Sequence, residues 1–261
     1  MQVRTLPAAA GWAWLREGLA ILRRQGFAFT ALIILYSMAL MVVASIPVIG
    51  LPLAAVLVPF GTLGVTAAGR DAERNVMPLP SLLIDGFKGP QRNALLTLGA
   101  VHAGLILAMV VVTSLFARDD LANWKIVEGE VDPASVAANV PWDAITVAML
   151  IYLPILMVTW FAPQLVGWHR MPVGKAMFYS LFACWRNRWP FLVLGLAFIA
   201  LVLAVSWLAT MLMSLMGVSA PLGSMLLAPI ALALTSVAYS TQYPIYRSVL
   251  EAPSVLSPLV R

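Results

Sequence analysis

Pro190–Ser214, PFLVLGLAFIALVLAVSWLATMLMS, holds no Asp, Glu, Lys or Arg. A helix needs about 20 mostly apolar residues to cross ~30 Å of hydrocarbon, so this stretch is long enough to span. Its continuous apolarity excludes a barrel strand, which alternates over about ten residues. Five more stretches have the same character: Gly26–Ser45, Leu51–Gly69, Ala94–Phe116, Ala144–Trp168 and Leu222–Pro244. The predicted fold is an all-α integral membrane protein. Six transmembrane helices form three parallel helical hairpins in a single transmembrane domain, with short amphipathic interfacial helices on the cytoplasmic side.

Composition points the same way. The chain is 62% hydrophobic and 10% charged, against about 25% charged in soluble domains. Such a chain in water would expose large apolar patches. The net charge of +5 is no nucleic-acid signal, because the basic residues lie between apolar runs and form no patch or tail. With a single cysteine, Cys184, an intramolecular disulfide is excluded and a thiolate zinc site lacks ligands. No cofactor motif is present. Residues 1–25 precede a run longer than a secretory h-region and are expected to be retained as a cytoplasmic amphipathic segment.

Charge fixes the expected orientation. Of the 16 Lys and Arg residues, only Arg118 and Lys125 fall on one side of the six spans. Arg4, Arg16, Arg23, Arg24, Arg70, Arg74, Lys88, Arg92, Arg170, Lys175, Arg186, Arg188, Arg247 and Arg261 fall on the other. Basic residues stay cytoplasmic. Both termini are therefore placed inside, in a multi-pass protein of a bacterial inner membrane. The outer connection 117–143 is acidic, with Asp119, Asp120, Glu128, Glu130, Asp132 and Asp143 against two bases. Without obvious structure of its own, it reads as a solvated loop, a protein contact or, through Glu128, Glu130 and Asp132, a loose set of calcium ligands. Trp124 and Trp142 are placed at the outer interface; Trp168, Trp185 and Trp189 at the inner one.

An internal repeat is visible. GWAWLREGLAILRRQGF from Gly11 and GKAMFYSLFACWRNRWP from Gly174 align at an offset of 163, matching Gly11, Ala13, Ala20 and Arg23 with Gly174, Ala176, Ala183 and Arg186. A weaker third copy begins at Pro80. In the first, Trp12, Leu15, Leu19 and Leu22 share a helical face opposite Arg16, Glu17, Arg23 and Arg24. In the second, Phe178, Leu181, Phe182 and Trp185 form the apolar face. Such segments lie in the headgroup plane. The second span of each unit carries an internal proline, Pro59, Pro154 or Pro229, which frees a backbone carbonyl and kinks the helix.

The stretch Trp160–Leu196 (WFAPQLVGWHRMPVGKAMFYSLFACWRNRWPFLVLGL), with Gly11–Arg24, resembles a family of uncharacterised bacterial six-helix inner-membrane proteins. The features are a span ending in Phe-Ala-Pro-x-Leu-Val, a Met-Pro-x-x-Lys-Ala turn, an aromatic amphipathic helix and an Arg-Asn pair before the next span. The layout is more distantly similar to the membrane domain of glycerophosphoryl diester phosphodiesterases, without their catalytic domain. The resemblance implies the inner membrane and six helices, and no activity.

Few side chains suggest chemistry. His102 lies within the third span, where an ionisable group is a functional candidate; the structural reading is a hydrogen bond to a neighbouring helix. Gln164, beside Pro163, either lines a kink cavity or bonds a freed carbonyl. These two are the candidate intramembrane polar site. Arg16, Arg23, Arg24, His169, Arg170, Lys175, Arg186 and Arg188 are candidate contacts for anionic lipid headgroups, or plain interfacial anchors. Cys184 reads as an inert thiol. The small-residue stripes Ala100–Gly104–Ala108 and Ala200–Ala204 read as helix-packing faces. An enzyme acting on lipid would need paired carboxylates or a nucleophile–base set near one interface; Asp71 and Glu73, beside Arg70 and Arg74, are the only acidic pair at the inner face, and their i, i+2 spacing puts them on different faces of a helix. The sequence thus favours a non-enzymatic scaffold, accessory or lipid-interacting protein. Its partners are membrane lipids and a possible membrane protein; nucleic acid is excluded. The alternative is a transporter or channel for a small neutral or amphiphilic solute.

Overall fold

The computed structural model describes residues 3–127, 130–218 and 220–250. Glu128, the side chain of Glu130 and Arg261, weighed above, lie outside the described residues. Among those described, six helices are long and apolar enough to cross a membrane. α1 (Ala10–Ala44) and α2 (Gly50–Glu73) form the first hairpin. α3 is a single turn (Asp85–Lys88) before the long α4 (Arg92–Ala122). After α5 (Pro133–Ala138) come α6 (Trp142–Thr159), α7 (Ala162–Gly167) and α8 (Val173–Arg186). α9 (Arg188–Leu215), α10 (Ala220–Ser240) and α11 (Gln242–Leu250) complete the chain. Arg4 N–H donates to Val249 O at 3.0 Å, so both ends meet on one face, called the terminal face below.

The interfacial segments differ from one another. In the first unit the amphipathic segment and the span are one helix, bent at Gln25 (φ −136°, ψ 37°). At the repeat offset Gln25 falls opposite Arg188, directly after the break at Asn187 that separates α8 from α9. The two best copies thus bend at the same place. The middle copy is no amphipathic helix. It is a 3-10 turn (Pro80–Leu83) that gives way at Ile84 to α3, whose single turn ends at Gly89 and Pro90. In α8 the small face, Ala176, Ser180 and Ala183, is buried against the bundle, while the aromatic face, Phe178, Phe182 and Trp185, is exposed, as a helix whose apolar face meets lipid requires.

The outer connection is ordered where described. β1 (Ile126–Val127) pairs antiparallel with β2 (Glu130–Val131). Asp132 caps α5, accepting from Ala134 N at 3.1 Å and Ser135 N at 3.2 Å. That carboxylate therefore serves a helix N-terminus.

The fourth span breaks at Trp160–Phe161 because Pro163 cannot donate a backbone hydrogen bond. Ser180 of α8 splints the break. Its Oγ accepts from Phe161 N at 2.9 Å and donates to Met157 O at 2.7 Å. Both orphaned groups are satisfied by one hydroxyl, as lipid requires.

The spans follow one another as an arc. α9 and α10 pack on α1, α1 on α2, α2 on α4, and α4 on α6. α2 is the most enclosed span. Its contacts are close because glycines let backbones meet: a Cβ at Gly99 would land on the Val56 carbonyl, and one at Gly61 on the Tyr36 ring. Among the described residues α6 makes no extended contact with α9 or α10, so the arc stays open there. At the terminal face a core closes it, built from Trp14, Phe60, Leu95, Phe161, Leu165 and Ile245. The outward faces carry Met41, Val111, Leu150, Leu203 and Trp207, all exposed, which is the surface a bilayer covers.

The small-residue stripes do not pack as expected. Ala100, Gly104 and Ala108 are exposed, as are Ala200 and Ala204. The packed small face of α4 is instead Gly99 and Ala103. Replacing Gly99 with alanine is expected to cost about 1–3 kcal/mol by overpacking against rigid backbone. Gly104→Ala, with nothing within 4 Å, should be neutral or slightly stabilising, since alanine is the better helix former. Thermal unfolding in detergent separates them; equal behaviour would rule out the close α2–α4 contact.

Candidate functional site

Pro59 sits in the middle of α2. A proline leaves the carbonyl four residues earlier without its helical donor, here that of Ala55. His102 of α4 supplies the missing bond, with Nδ1 2.9 Å from Ala55 O. A carbonyl only accepts, so Nδ1 carries the hydrogen, and in the neutral ring Nε2 is left as an acceptor. His102 is 9% exposed. One side chain thus closes the gap that the proline opens, and does so at membrane depth.

Beside this bond lies a cavity of about 410 Å³. α1, α2, α4 and α6 wall it, and Tyr239 of α10 and Gln242 of α11 complete its base. No Asp, Glu, Lys or Arg lines it. α6 and α10, which both contribute to its lining, make no extended contact with each other among the described residues. Gly61 against Tyr36 and Gly99 against Val56 set the helix levels. On them, Thr62, Thr159, Tyr36, Tyr239 and Gln242 gather at the deep end. Leu40, Leu51 and Ile106 form the end away from the termini. Tyr36 and Tyr239 meet edge to face, 6.0 Å between centroids.

Under the floor, three helices are knitted by amides and a hydroxyl. Gln164 Nε2 donates to Thr66 Oγ1 at 2.8 Å, and Thr66 Oγ1 lies 2.7 Å from Thr62 O and 3.3 Å from Gln242 Oε1. The hydroxyl has one hydrogen to share between those acceptors. Gln164 is 2% exposed, and its Oε1 has no hydrogen-bond partner among the described residues. Gln164 therefore neither lines the cavity nor caps a freed carbonyl; it ties α7 to α2. Leu165, Val166 and Phe161 lie next to it, buried, so the cavity is shut toward the terminal face.

The candidate headgroup residues share the terminal face but form no single site. Arg16, Arg23, Arg170, Lys175, Arg186 and Arg188 are exposed. Arg186 lies over Phe182, 5.4 Å from guanidinium carbon to centroid, and Arg188 lies 5.6 Å from both Trp185 and Trp189. Arg24 donates to Glu73 O. His169 Nε2 lies 2.7 Å from the Tyr246 hydroxyl, and burial pushes its pKa below the usual histidine value. Arg247 bridges α1 and α2 by ion pairs to Glu17 (2.8 Å) and Glu73 (2.7 Å). Asn187, fully buried, holds the N-terminal strand: its Oδ1 accepts from Leu6 N at 3.0 Å and its Nδ2 donates to Arg4 O at 2.9 Å. Cys184 is buried, and burial pushes its thiol up. Among the described residues no three of His, Cys, Asp and Glu come together as metal ligands would.

Sequence reasoning named His102 but missed Tyr36, Thr62, Tyr152, Thr159, Tyr239 and Gln242. Lone hydroxyls in apolar runs carry no signal until helix levels are known. The Pro59–Ala55 relation was available, since it needs only the proline's position.

The chain is 36% identical over 255 residues to a probable inner membrane protein of Burkholderia thailandensis, covering 95% of this chain and 93% of that protein. No family model matches the chain, and no solved structure matches it.

His102→Ala leaves Ala55 O unpaired and is expected to cost about 1–3 kcal/mol. Pro59→Ala restores an N–H at position 59 for that carbonyl. In a Pro59→Ala background, His102→Ala should therefore cost clearly less. Additive losses in the detergent melts of the two single variants and the double variant would show that the bond does not serve the proline.

Proposed function

The chain belongs to the same family as the Burkholderia thailandensis protein and is a multi-pass protein of the inner membrane; on that premise we propose that it is a non-enzymatic, lipid-interacting protein holding one amphiphilic molecule in the cavity among α1, α2, α4 and α6. The cavity itself carries this reading. It has room for an amphiphile, it is lined by α6 and α10 where those helices make no extended contact, and it joins apolar walls to a hydroxyl- and amide-lined base. The imidazole there is committed through Nδ1 to Ala55 O, which favours a structural part for it over acid–base work.

The orientation belongs to the same proposal. The terminal face, with its exposed arginines, lies in the cytoplasm and meets anionic headgroups, each base near the surface contributing about 1 kcal/mol. A membrane-protein partner would meet α9, in which only Pro190 is buried. The distant likeness of layout to the membrane domain of glycerophosphoryl diester phosphodiesterases fits a protein built around lipid.

A transporter of a neutral or amphiphilic solute is the second reading. What favours it is that the cavity borders Pro59 and the break before Pro163. The packed core beneath the cavity weighs against a through-path in this conformation.

Val58→Trp, which fills the cavity from α2, is expected to cut the lipid that stays bound through purification several-fold, read by mass spectrometry of the extracted protein. Unchanged bound lipid would remove the proposal. Reversing Arg16, Arg23, Arg186 and Arg188 to glutamate should weaken retention of anionic lipid and leave uncharged lipid untouched. Equal retention of anionic lipid would count against the headgroup role.

A further inference from the structure

The lining of the cavity also selects what enters it. We propose that its ligand is an amphiphile with an uncharged, hydrogen-bonding head, inserted head-first to the depth of Thr62 and Tyr239, with its chain running toward Leu51 and Ile106. This rests on the reading of the cavity as a lipid site and adds the class and the direction of its occupant.

The first argument is electrostatic. No carboxylate, ammonium or guanidinium lines the cavity. A phosphate or a quaternary ammonium at this depth would be a charge without a counter-charge, and burying one is costly. The arginines of the terminal face lie beyond the Phe161–Leu165 core, and neither they nor Arg118 at the other end of α4 line the cavity. A neutral head meets no such penalty, because the base offers hydroxyls that both donate and accept and an amide that does both.

The second argument is the gradient. On α2 the cavity runs from Leu51 to Thr62, eleven residues and so about 16 Å at the rise of an α-helix. Leu51, Ala54 and Val58 line most of that length, and Thr62 stands at its inner end with Tyr36, Thr159, Tyr239 and Gln242; of the other polar lining residues, His102 is bonded through Nδ1 to Ala55 O and Tyr152 comes from α6. An amphiphile placed the other way would press its head against Leu40 and Ile106, where its hydrogen-bonding groups find no partner, and its chain against the Tyr36 and Tyr239 hydroxyls and the Gln242 amide. Hydrogen-bonding groups shut away without partners cost about 1–3 kcal/mol each. The direction follows from avoiding that.

The test uses the full chain in nanodiscs and two probes sharing one acyl chain with a diazirine near its free end: a monoacylglycerol and the matching lysophosphatidic acid. The monoacylglycerol should label peptides holding Leu40, Leu51 or Ile106 about tenfold more strongly than its phosphate analogue. Excess unlabelled monoacylglycerol should compete, and Val58→Trp should abolish the labelling. Tyr239→Phe, which removes a hydroxyl and little volume, should weaken it several-fold, since one hydrogen bond is involved. Equal or stronger labelling by the phosphate probe at those residues would overturn the uncharged head and leave the lipid site standing. Labelling by the chain-end diazirine at Thr62 or Thr159 would overturn the direction. Labelling by neither probe, or labelling that both variants leave untouched, would sink the lipid site itself.

Discussion

A backbone carbonyl without a donor cannot be left to water inside a bilayer. Ala55 O is such a group, freed by Pro59, and His102 answers it. The bond fixes how α4 sits on α2, alongside the Gly99–Val56 contact. Those two helices are the back wall of the cavity, and the others hang from them. The proline removes one donor from α2, and the histidine supplies the bond it would have made. Each makes sense only with the other, and together they account for an ionisable ring in a span with no acid to relay a proton to.

The same problem is solved again, by different means, where the fourth span breaks. Ser180 takes over both groups that Pro163 displaces. The consequence is mechanical. α8 is fastened to the break from outside, and α7 is pinned to α2 through Gln164 and Thr66. Asn187 and Arg247 tie down the chain ends beside it. The terminal face is thus a rigid base. Away from it, α6 and α10 are free to stand apart. The open side of the arc is the price of putting the packing at one end.

The spans, their number and the all-α class were legible because hydrocarbon imposes one simple rule on them, and the stretch Pro190–Ser214 obeys it throughout. At the two best copies of the repeat the bends fall one residue apart at the offset of 163, at Gln25 and Asn187. The middle copy differs because its segment starts as a 3-10 turn and changes at Ile84 to one α-helical turn. In α8 periodicity shows two faces; the aromatic one is turned out, and the packing face is the small one. The stripe on α4 was displaced by one position: Ala100 and Gly104 face outward, while Gly99 and Ala103 pack. Rotation of a helix about its own axis is set by its neighbours, which a single sequence does not display.

The candidate site was less legible, and the reason is physical. A pocket for a charged ligand needs charged side chains, and those stand out in a greasy sequence. A pocket for a neutral head needs hydroxyls and amides that are individually ordinary. Tyr36, Thr62, Thr159, Tyr239 and Gln242 come from five different elements, and each alone is a side chain a membrane helix tolerates, the threonines by bonding their own backbone, as Thr159 does to Ile155 O at 2.7 Å. What makes them a site is that the helix levels bring them to one depth with no charge among them, while every exposed arginine of the terminal face is kept beyond a packed core. The separation of the two sets, neutral and inside, charged and at the surface, is the feature from which selectivity for an uncharged head follows.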